Sequence, residues 1–488
     1  MVKQLFIQPR HGNAPATGVG QVYLPTALFT AAARVNAAGG DVRCYDENLA
    51  RVPDEVLASA QTVGIHTVGA SLIPATIDLE RRIKTLNPAA TVVLGGQQMS
   101  SLDADPYHRP VRFQRLFGRE AINGNFDDRL AAALRIDEQR LPQTEQVSIV
   151  PVLEQLDPEH LRAYLSAPSM SLYVAQGCNK GCGFCTAVRS RKHAEQTPLK
   201  NLAMLGESGC PATHRVREVY RDIDVTKRDL AYLMDKADEF GISAVCLYMS
   251  NLDICQTPEQ LAAFAVAAQE VKQSYPRVQM KLTGLATTVE FRCMHEQYPS
   301  VLRAMKDAGL VNIGFGVEGL DREYLVKLKK GHNLPDDCYS VIRDAVEVYG
   351  FVPEILLTPG HACETAETLR ATCEYADYMV AKYGDKIIIR PYAAKNAPGS
   401  DDWNQGTCET LVEKLLSNPA LFQNLDFNAF QSTLVEPDPV RRQMVNAAYA
   451  HLCDLSNGAA PPLLPIEEGM SPLELDRIRA FNQGKYDH

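Results

Sequence analysis

The run from Gly177 to Cys185, GCNKGCGFC, constrains this chain more than any other feature. It places Cys178, Cys182 and Cys185 at C-x-x-x-C-x-x-C spacing, directly after an apolar stretch, SLYVAQG, that reads as a strand. Three thiolates in such a loop can each take one iron of a [4Fe–4S] cubane and leave the fourth iron open. Gly177, Gly181 and Gly183 give the backbone the freedom for a tight path around a cluster, and Phe184 can shield it from water. Zinc is the competing reading. It would want a fourth Cys or His at recognisable spacing, for which His193 is the nearest candidate.

Hydrophobic patterning supplies the frame for that loop. Residues 1–135 alternate strands (LFIQP, VRCYD, TVGIHTV, TVVLGG) with helices at Leu24–Asn36, Ile73–Leu86 and Phe126–Leu134. That alternation predicts an α/β fold, here an N-terminal doubly wound, Rossmann-like domain with helices on both faces of a parallel sheet. Residues 136–170 carry little strand pattern and read as a connector. A second series over 171–403 has six strands: SLYVAQG, AVCLYMS, VQMKLTG, LVNIGFGVEG, FVPEILLTPG and KIIIRPY. Helices at Asp229–Phe240, Pro258–Ser274, Ser300–Ala308, Asp336–Val348 and Thr365–Ala381 separate them, which fits a partial (β/α)6 barrel better than a closed eight-stranded one. Residues 404–488 change to helices and Pro-rich turns, a helical C-terminal cap.

Composition narrows the partners. A net charge of −10 argues against a nucleic-acid backbone and is compatible with a cationic small molecule. No uncharged apolar run reaches the ~18 residues of a membrane span. The start, MVKQLFIQPRHG, lacks the plan of a secretory signal, so a cytoplasmic protein with no membrane partner is expected. Ten of the 13 cysteines are scattered, which predicts one metal centre and no disulfide scaffold. The loop HGNAPATGVG after the first strand does not give G-x-G-x-x-G, so a nicotinamide role is not expected.

The cysteine loop resembles the signature of the radical S-adenosylmethionine (SAM) superfamily, down to the aromatic before the last cysteine, and the likeness extends over residues 1–400. The resemblance implies that SAM chelates the open iron and is cleaved to a 5′-deoxyadenosyl radical, with an electron from a flavodoxin- or ferredoxin-type reductant. It implies SAM contacts from Gly183 and Phe184, from Glu318 in GFGVEG, from Ser250 in Ser250-Asn251-Leu252-Asp253, and from Pro359 in LLTPGHACET. RPYAAKNAPGSDDW, with Pro398 and Gly399, resembles the sixth strand and its following turn. Residues 1–135 resemble the cobalamin-binding-type domain that precedes many such barrels, in GVGQVYLPTALFTAAARVNAAGGDVRCYDENL, VVLGGQQ and FGREA. The Asp-x-His-x-x-Gly loop of that domain is absent, which leaves cobalamin open; His11 and His66 are possible polar contacts.

Two uses of the radical compete. Size, a single cluster and the motif-lacking domain resemble the aminoglycoside diol dehydratases of the apramycin type. That resemblance implies hydrogen abstraction at C4′ of a pseudodisaccharide such as paromamine, loss of the neighbouring C3′ hydroxyl, and a separate partner reductase for the resulting ketone. Such chemistry needs a general base and an acid, for which Tyr220, Tyr248, Asp253, Glu290 and Tyr392 are candidates by location. The alternative is a cobalamin-dependent radical SAM C-methyltransferase of a natural-product pathway. Outside enzymes, an iron–sulfur electron carrier or a cobalamin-sensing module is the third reading.

Overall fold

Two parallel sheets organise the computed structural model, which describes residues 4–10, 24–96, 99, 136, 140–178, 180, 182–185, 219–395, 409–425, 430–432 and 434–456. In the first, β1 (Gln4–Gln8), β2 (Val42–Asp46), β3 (Thr62–His66) and β4 (Thr91–Gly95) lie in the order β2-β1-β3-β4. Strand β1 shows why both faces must be covered. Leu5 and Ile7 pack with Leu57, Leu79 and Ile83 of helices α2 (Asp54–Ser59) and α3 (Ile73–Leu86). Phe6 belongs to the other face, in the same core as Phe29 and Val35 of helix α1 (Thr26–Ala37). Strands covered on both faces read as apolar runs, which made β1, β3 and β4 legible, while the edge strand β2, with Arg43 exposed, does not read so.

The second sheet begins with β5 (Met170–Tyr173). The chain then leaves it: Ala175–Gln176, β6, pairs antiparallel with Val219–Tyr220, β7, and the Arg221 N–H donates to the Val174 carbonyl at 2.9 Å. The single strand expected over SLYVAQG is therefore two, with the bend at Val174. Strands β8 (Ala244–Ser250), β9 (Gln279–Ala286), β10 (Leu310–Glu318), β11 (Val352–Leu357) and β12 (Ile388–Pro391) complete the sheet. Its order is β12-β11-β10-β9-β8-β5, all parallel, with β5 and β12 as edges among the described residues. This is the predicted six-stranded partial barrel.

Helices Ile223–Glu239, Pro258–Ser274, Pro299–Ala308, Pro335–Glu347 and Ala366–Tyr383 cover the outside. Their starts follow local chemistry. Asp222 caps the first, its carboxylate accepting from the Asp224 and Val225 N–H groups, and Pro occupies the first turn of the next three. Gly309 closes Pro299–Ala308 at φ +114°, where a β-carbon would also come within 2.6 Å of the Met280 carbonyl; both facts require glycine. Two further helices, Thr288–Gln297 and Arg322–Lys327, lie at the C-terminal ends of β9 and β10.

The stretch expected as a plain connector holds two short helices, Val150–Leu153 and Pro158–Leu165. Their Val152, Leu161 and Tyr164 enter the core that runs unbroken from α1 into the barrel. The helix Pro439–Asp454 packs on Ala366–Tyr383 and β12, while Phe422 and Leu425 pack with Ala70 and Ile73 at the start of α3. No helix among the described residues is long and apolar enough to cross a membrane.

Candidate active site

The C-terminal ends of the barrel strands bring together several buried charges, Lys180, Asp253, Glu290, Glu318 and Lys330. Cys178 follows β6 and Gly177, which sits at φ +100°. The loop is tied down on both sides. Lys180 N–H reaches Cys178 Sγ at 3.4 Å, Cys185 N–H donates to the Cys182 carbonyl at 3.2 Å, and Gly183 N–H donates to the Leu328 carbonyl at 2.9 Å. Phe184 packs on the His361 ring at 5.0 Å and under the Lys330 ammonium at 5.7 Å. Behind the loop, Arg221 and Asp229 form a wholly buried ion pair at 2.5 Å that fixes β7 to its following helix.

Two lysines flank the cysteines, each held by a glutamate. Lys180 Nζ lies 2.5 Å from Glu290 Oε1. Lys330 Nζ lies 2.7 Å from Glu318 Oε1, and Thr358 Oγ1 donates to Glu318 Oε2. Burial works against the Glu318 charge, but Lys330, Thr358 and His361 outweigh it and hold the carboxyl below its usual range. Glu318 itself adopts φ +66°, a costly conformation for a side-chain-bearing residue, paid for by those contacts. Asn333 Nδ2 donates to the Gly316 carbonyl at 2.7 Å, so the turn is braced from beneath.

Burial pushes Cys182 up to about 11 and Cys178 higher still, while Lys330 and Lys180 pull Cys182 the other way. Such thiols resist bare ionisation and suit a ligand that takes them as thiolates beside two ammonium groups. Among the described residues, no three His, Cys, Asp or Glu side chains converge on a single ion position. A cubane asks for something else, one thiolate at each of three corners. The donor set fits it. His193, the candidate for a zinc ligand, lies outside the described residues, as do His11, Pro398 and Gly399.

The candidate acids and bases fall into separate groups. Asp253 is fully buried; its Oδ2 accepts from Thr287 N and Oγ1 at 3.1 and 2.7 Å, and its Oδ1 from Cys255 N at 3.1 Å. Burial and the Glu290 charge raise it to about 7, against Thr287 and Lys180. Glu290 thus braces the cluster loop through Lys180, while Asp253 ties the end of β8 to Thr287 at the start of the helix that carries Glu290. Tyr248 and Tyr392 belong to the barrel interior, while Tyr220 sits in the β6–β7 pair. Ser250 ends β8 opposite Tyr173, and the Pro359 carbonyl accepts from Ala394 N–H at 2.8 Å. In the first sheet, His66 Nδ1 lies 2.7 Å from Gln8 Oε1 at the strand ends, and its burial keeps it neutral, near 4.

Lys180, Lys330, Thr358, His361 and Glu364 were not anticipated. Lys180 stood inside the motif itself, and Lys330 in the basic pair Lys329-Lys330 after β10; a search for partners to Glu318 and Glu290 was the available signal.

Residues 172–376 match the family model described as the Radical SAM superfamily. The chain carries a radical SAM domain. The cofactors of such a domain are a [4Fe–4S] cluster and SAM, and the cysteine loop opens the matched segment. No curated protein matches the sequence. Solved structures extend the likeness beyond the radical SAM domain. The radical SAM methyltransferase TsrM from Kitasatospora setae, with tryptophan substrate and the SAM analogue aza-SAM bound, is similar at 15% identity and a TM-score of 0.61, over 100% of this chain and 96% of that one. The same enzyme with cobalamin and a [4Fe–4S] cluster bound gives 15% and 0.59, over 84% and 78%. The cobalamin-dependent SAM radical enzyme OxsB with aqua-cobalamin gives 12% and 0.51, over 85% of this chain and 56% of that one. At these identities the likeness is one of fold.

Proposed function

We propose that this chain is a radical SAM enzyme that transfers a methyl group to a small substrate, with cobalamin held at the C-terminal edge of the N-terminal sheet. Methyl transfer, the second reading on sequence grounds, takes precedence over diol dehydration of an aminoglycoside. The observation that carries it is the likeness of fold over 100% of the chain to a SAM methyltransferase, both sheets and the C-terminal segment included. When bound, the cluster supplies the electron that reduces SAM, and cobalamin supplies a carrier for the methyl group.

The residues of this chain then have defined tasks. Cys178, Cys182 and Cys185 ligate three irons, and Phe184 with His361 excludes water from that side. Glu318, kept ionised by Lys330, offers an acceptor to sugar hydroxyls of SAM, and Ser250, Gly183 and Pro359 are further contacts in this reading. Gln8 and His66, paired at the ends of β1 and β3, would offer polar contacts to cobalamin. A flavodoxin- or ferredoxin-type protein delivers the electron.

The test is anaerobic reconstitution with iron, sulfide and cobalamin, followed by mass spectrometry of the SAM products. Stoichiometric cobalamin and S-adenosylhomocysteine formation that depends on it are expected. A cobalamin-free protein that makes only 5′-deoxyadenosine and deoxygenates paromamine would overturn methyl transfer in favour of dehydration. Replacing Cys182 by Ala abolishes turnover in either case.

A further inference from the structure

The inner face of the barrel sheet carries charge that the cluster loop does not use. Along β8 the residues alternate: Val245, Leu247 and Met249 are fully buried in the core shared with the helices, while Cys246, Tyr248 and Ser250 point the other way and are half-buried. The parallel register carries this alternation across the sheet, Tyr248 beside Thr283, Leu285 beside Gly314, and Gly314 beside Glu354. Glu354 therefore faces inward, and so does Arg390, two residues beyond its register partner Ile388. The two pair there, Nη2 to Oε1, at 3.2 Å, with 22% of the Glu354 side chain and 35% of the Arg390 side chain still open.

Tyr248 completes the arrangement from across the barrel. Strand β8 stands three strands from β11, yet its tyrosine feels the charge of Glu354 and the hydroxyl of Tyr392, which raise it beyond the effect of burial. An electrostatic influence of that reach crosses the interior rather than following the sheet. A β-carbon on Gly314 would meet Leu285 Cδ2 at 2.6 Å and Leu356 Cδ1 at 3.5 Å, so two leucines flank the ion pair on the same face. Lys281, one rung lower beside Cys246, adds a second inward cation.

These charges select among ligands. On this face, among the described residues, a polycation would meet the Glu354 carboxylate, already engaged by a guanidinium, and the like charges of Arg390 and Lys281. A ligand with a carboxylate and an ammonium close together can split the pair, its carboxylate on Arg390 and its ammonium on Glu354 with the tyrosines. We propose that the inner face of β8–β12 is the substrate-recognition site, and that it takes an amino acid, or a derivative with both α-groups free, whose apolar body lies on Leu285 and Leu356. This rests on the reading of the chain as a radical SAM enzyme. The ligand's body points along the strands, and Glu318 lies four residues, about 13 Å, beyond the Gly314–Glu354 rung.

The experiment is calorimetric titration of the reconstituted holoenzyme with the proteinogenic amino acids, with the decarboxylated and N-acetylated forms of whichever binds, and with paromamine. Saturable binding of at least one amino acid is expected, weakened about tenfold or more by either modification and by Arg390→Gln or Glu354→Gln. Arg390→Lys should bind better than Arg390→Gln, and all variants should keep the cluster absorbance. Saturable binding of paromamine but of no amino acid would overturn the inference. So would amino-acid binding unchanged in both neutral variants, because the pair would then be only a tie between β11 and β12. SAM consumption by the unaltered enzyme is followed in the same preparation. SAM consumption without amino-acid binding sinks the inference alone, and amino-acid binding without SAM consumption sinks the enzymatic reading alone.

Discussion

Glu318 and Lys330 define what a single residue can cost this site. Both are buried, and each is the other's principal charge partner at 2.7 Å. Removing one member leaves the other as an uncompensated charge, which costs more than the pair contributes. Lys330→Met is therefore expected to lower the unfolding free energy by about 3–5 kcal/mol, with Lys330→Met/Glu318→Leu recovering part of it. Urea denaturation of the three proteins checks this, and a loss below about 1 kcal/mol for the single variant would place the pair in contact with water. Glu364 gives a second prediction of opposite character. It is 3% exposed, and its Oε1 has no hydrogen-bond partner. Burial lifts it from its usual 4.5 to about 7, against the Gly360 N–H and the charges of His361 and Arg441. The folded protein thus holds a proton that the unfolded chain releases. The stability from this group is full below about 4.5 and is lost as the pH rises towards 7. Glu364→Gln should raise the unfolding free energy from urea denaturation at pH 8, by on the order of 3 kcal/mol at most, and the gain should shrink as the pH falls towards 4.5. A gain that does not vary with pH would mean that Glu364 stays ionised in the fold.

At the scale of elements, the strands were legible and the helix edges were not. Six barrel strands and four N-terminal ones stood out because burial on the helix side needs an apolar residue at every second position, and often between. The helix Ile223–Glu239 began six residues before its expected start, since Thr226-Lys227-Arg228 breaks the apolar pattern while the Asp222 cap fixes the true origin. Thr288–Gln297 was missed because its sequence, TVEFRCMHEQ, offers a weak apolar stripe, although the Thr287 side chain caps it. The site was half legible. The cysteines and Glu318 stood at strand ends, but the lysines that hold Glu290 and Glu318 lie 110 and 12 residues from their partners, distances that only the fold closes. The segment Pro359–Thr365 shows how an element distant in sequence supports the loop. Arg441 Nη1 donates to the Glu364 carbonyl at 2.6 Å and Nη2 donates to the His361 carbonyl, while its Nε pairs with Glu436 at 2.8 Å. His361 in turn packs on Phe184. Arg441→Ala should speed amide hydrogen exchange over Gly360–Thr365 and cost about 2–4 kcal/mol, two charge-assisted bonds being lost. Exchange that is faster only within helix Pro439–Asp454 would show that the clamp does not hold the segment.

At the scale of the whole molecule, the largest core cluster among the described residues is shared by the first sheet layer, the connecting helices and the barrel, beside three smaller ones. Net charge illustrates how little a global quantity says of a site. The −10 of the chain is compatible with a cationic ligand, whereas among the described residues the inner face of the barrel sheet sets Arg390 and Lys281 against Glu354. Packing makes the same point for stability. Phe6, Phe29 and Val42 of the N-terminal sheet layer belong to one continuous cluster with Tyr164 and Leu247. Phe29 lies edge-on to Tyr164 at 6.2 Å, the Tyr164 hydroxyl donates to Asp46 Oδ2 at 2.8 Å, and Arg34 Nε donates to the Pro142 carbonyl at 2.8 Å. Two sheets joined through buried aromatics and hydrogen bonds have no plane along which one can melt alone. Calorimetry should therefore show a single transition whose calorimetric and van't Hoff enthalpies agree, despite the length of the chain. Phe29→Ala should lower that one transition, at a cost of about 3–5 kcal/mol, and take the barrel with it. Two resolved transitions, with only the lower one moved by Phe29→Ala, would show instead that the sheets fold independently and that the core between them is an interface.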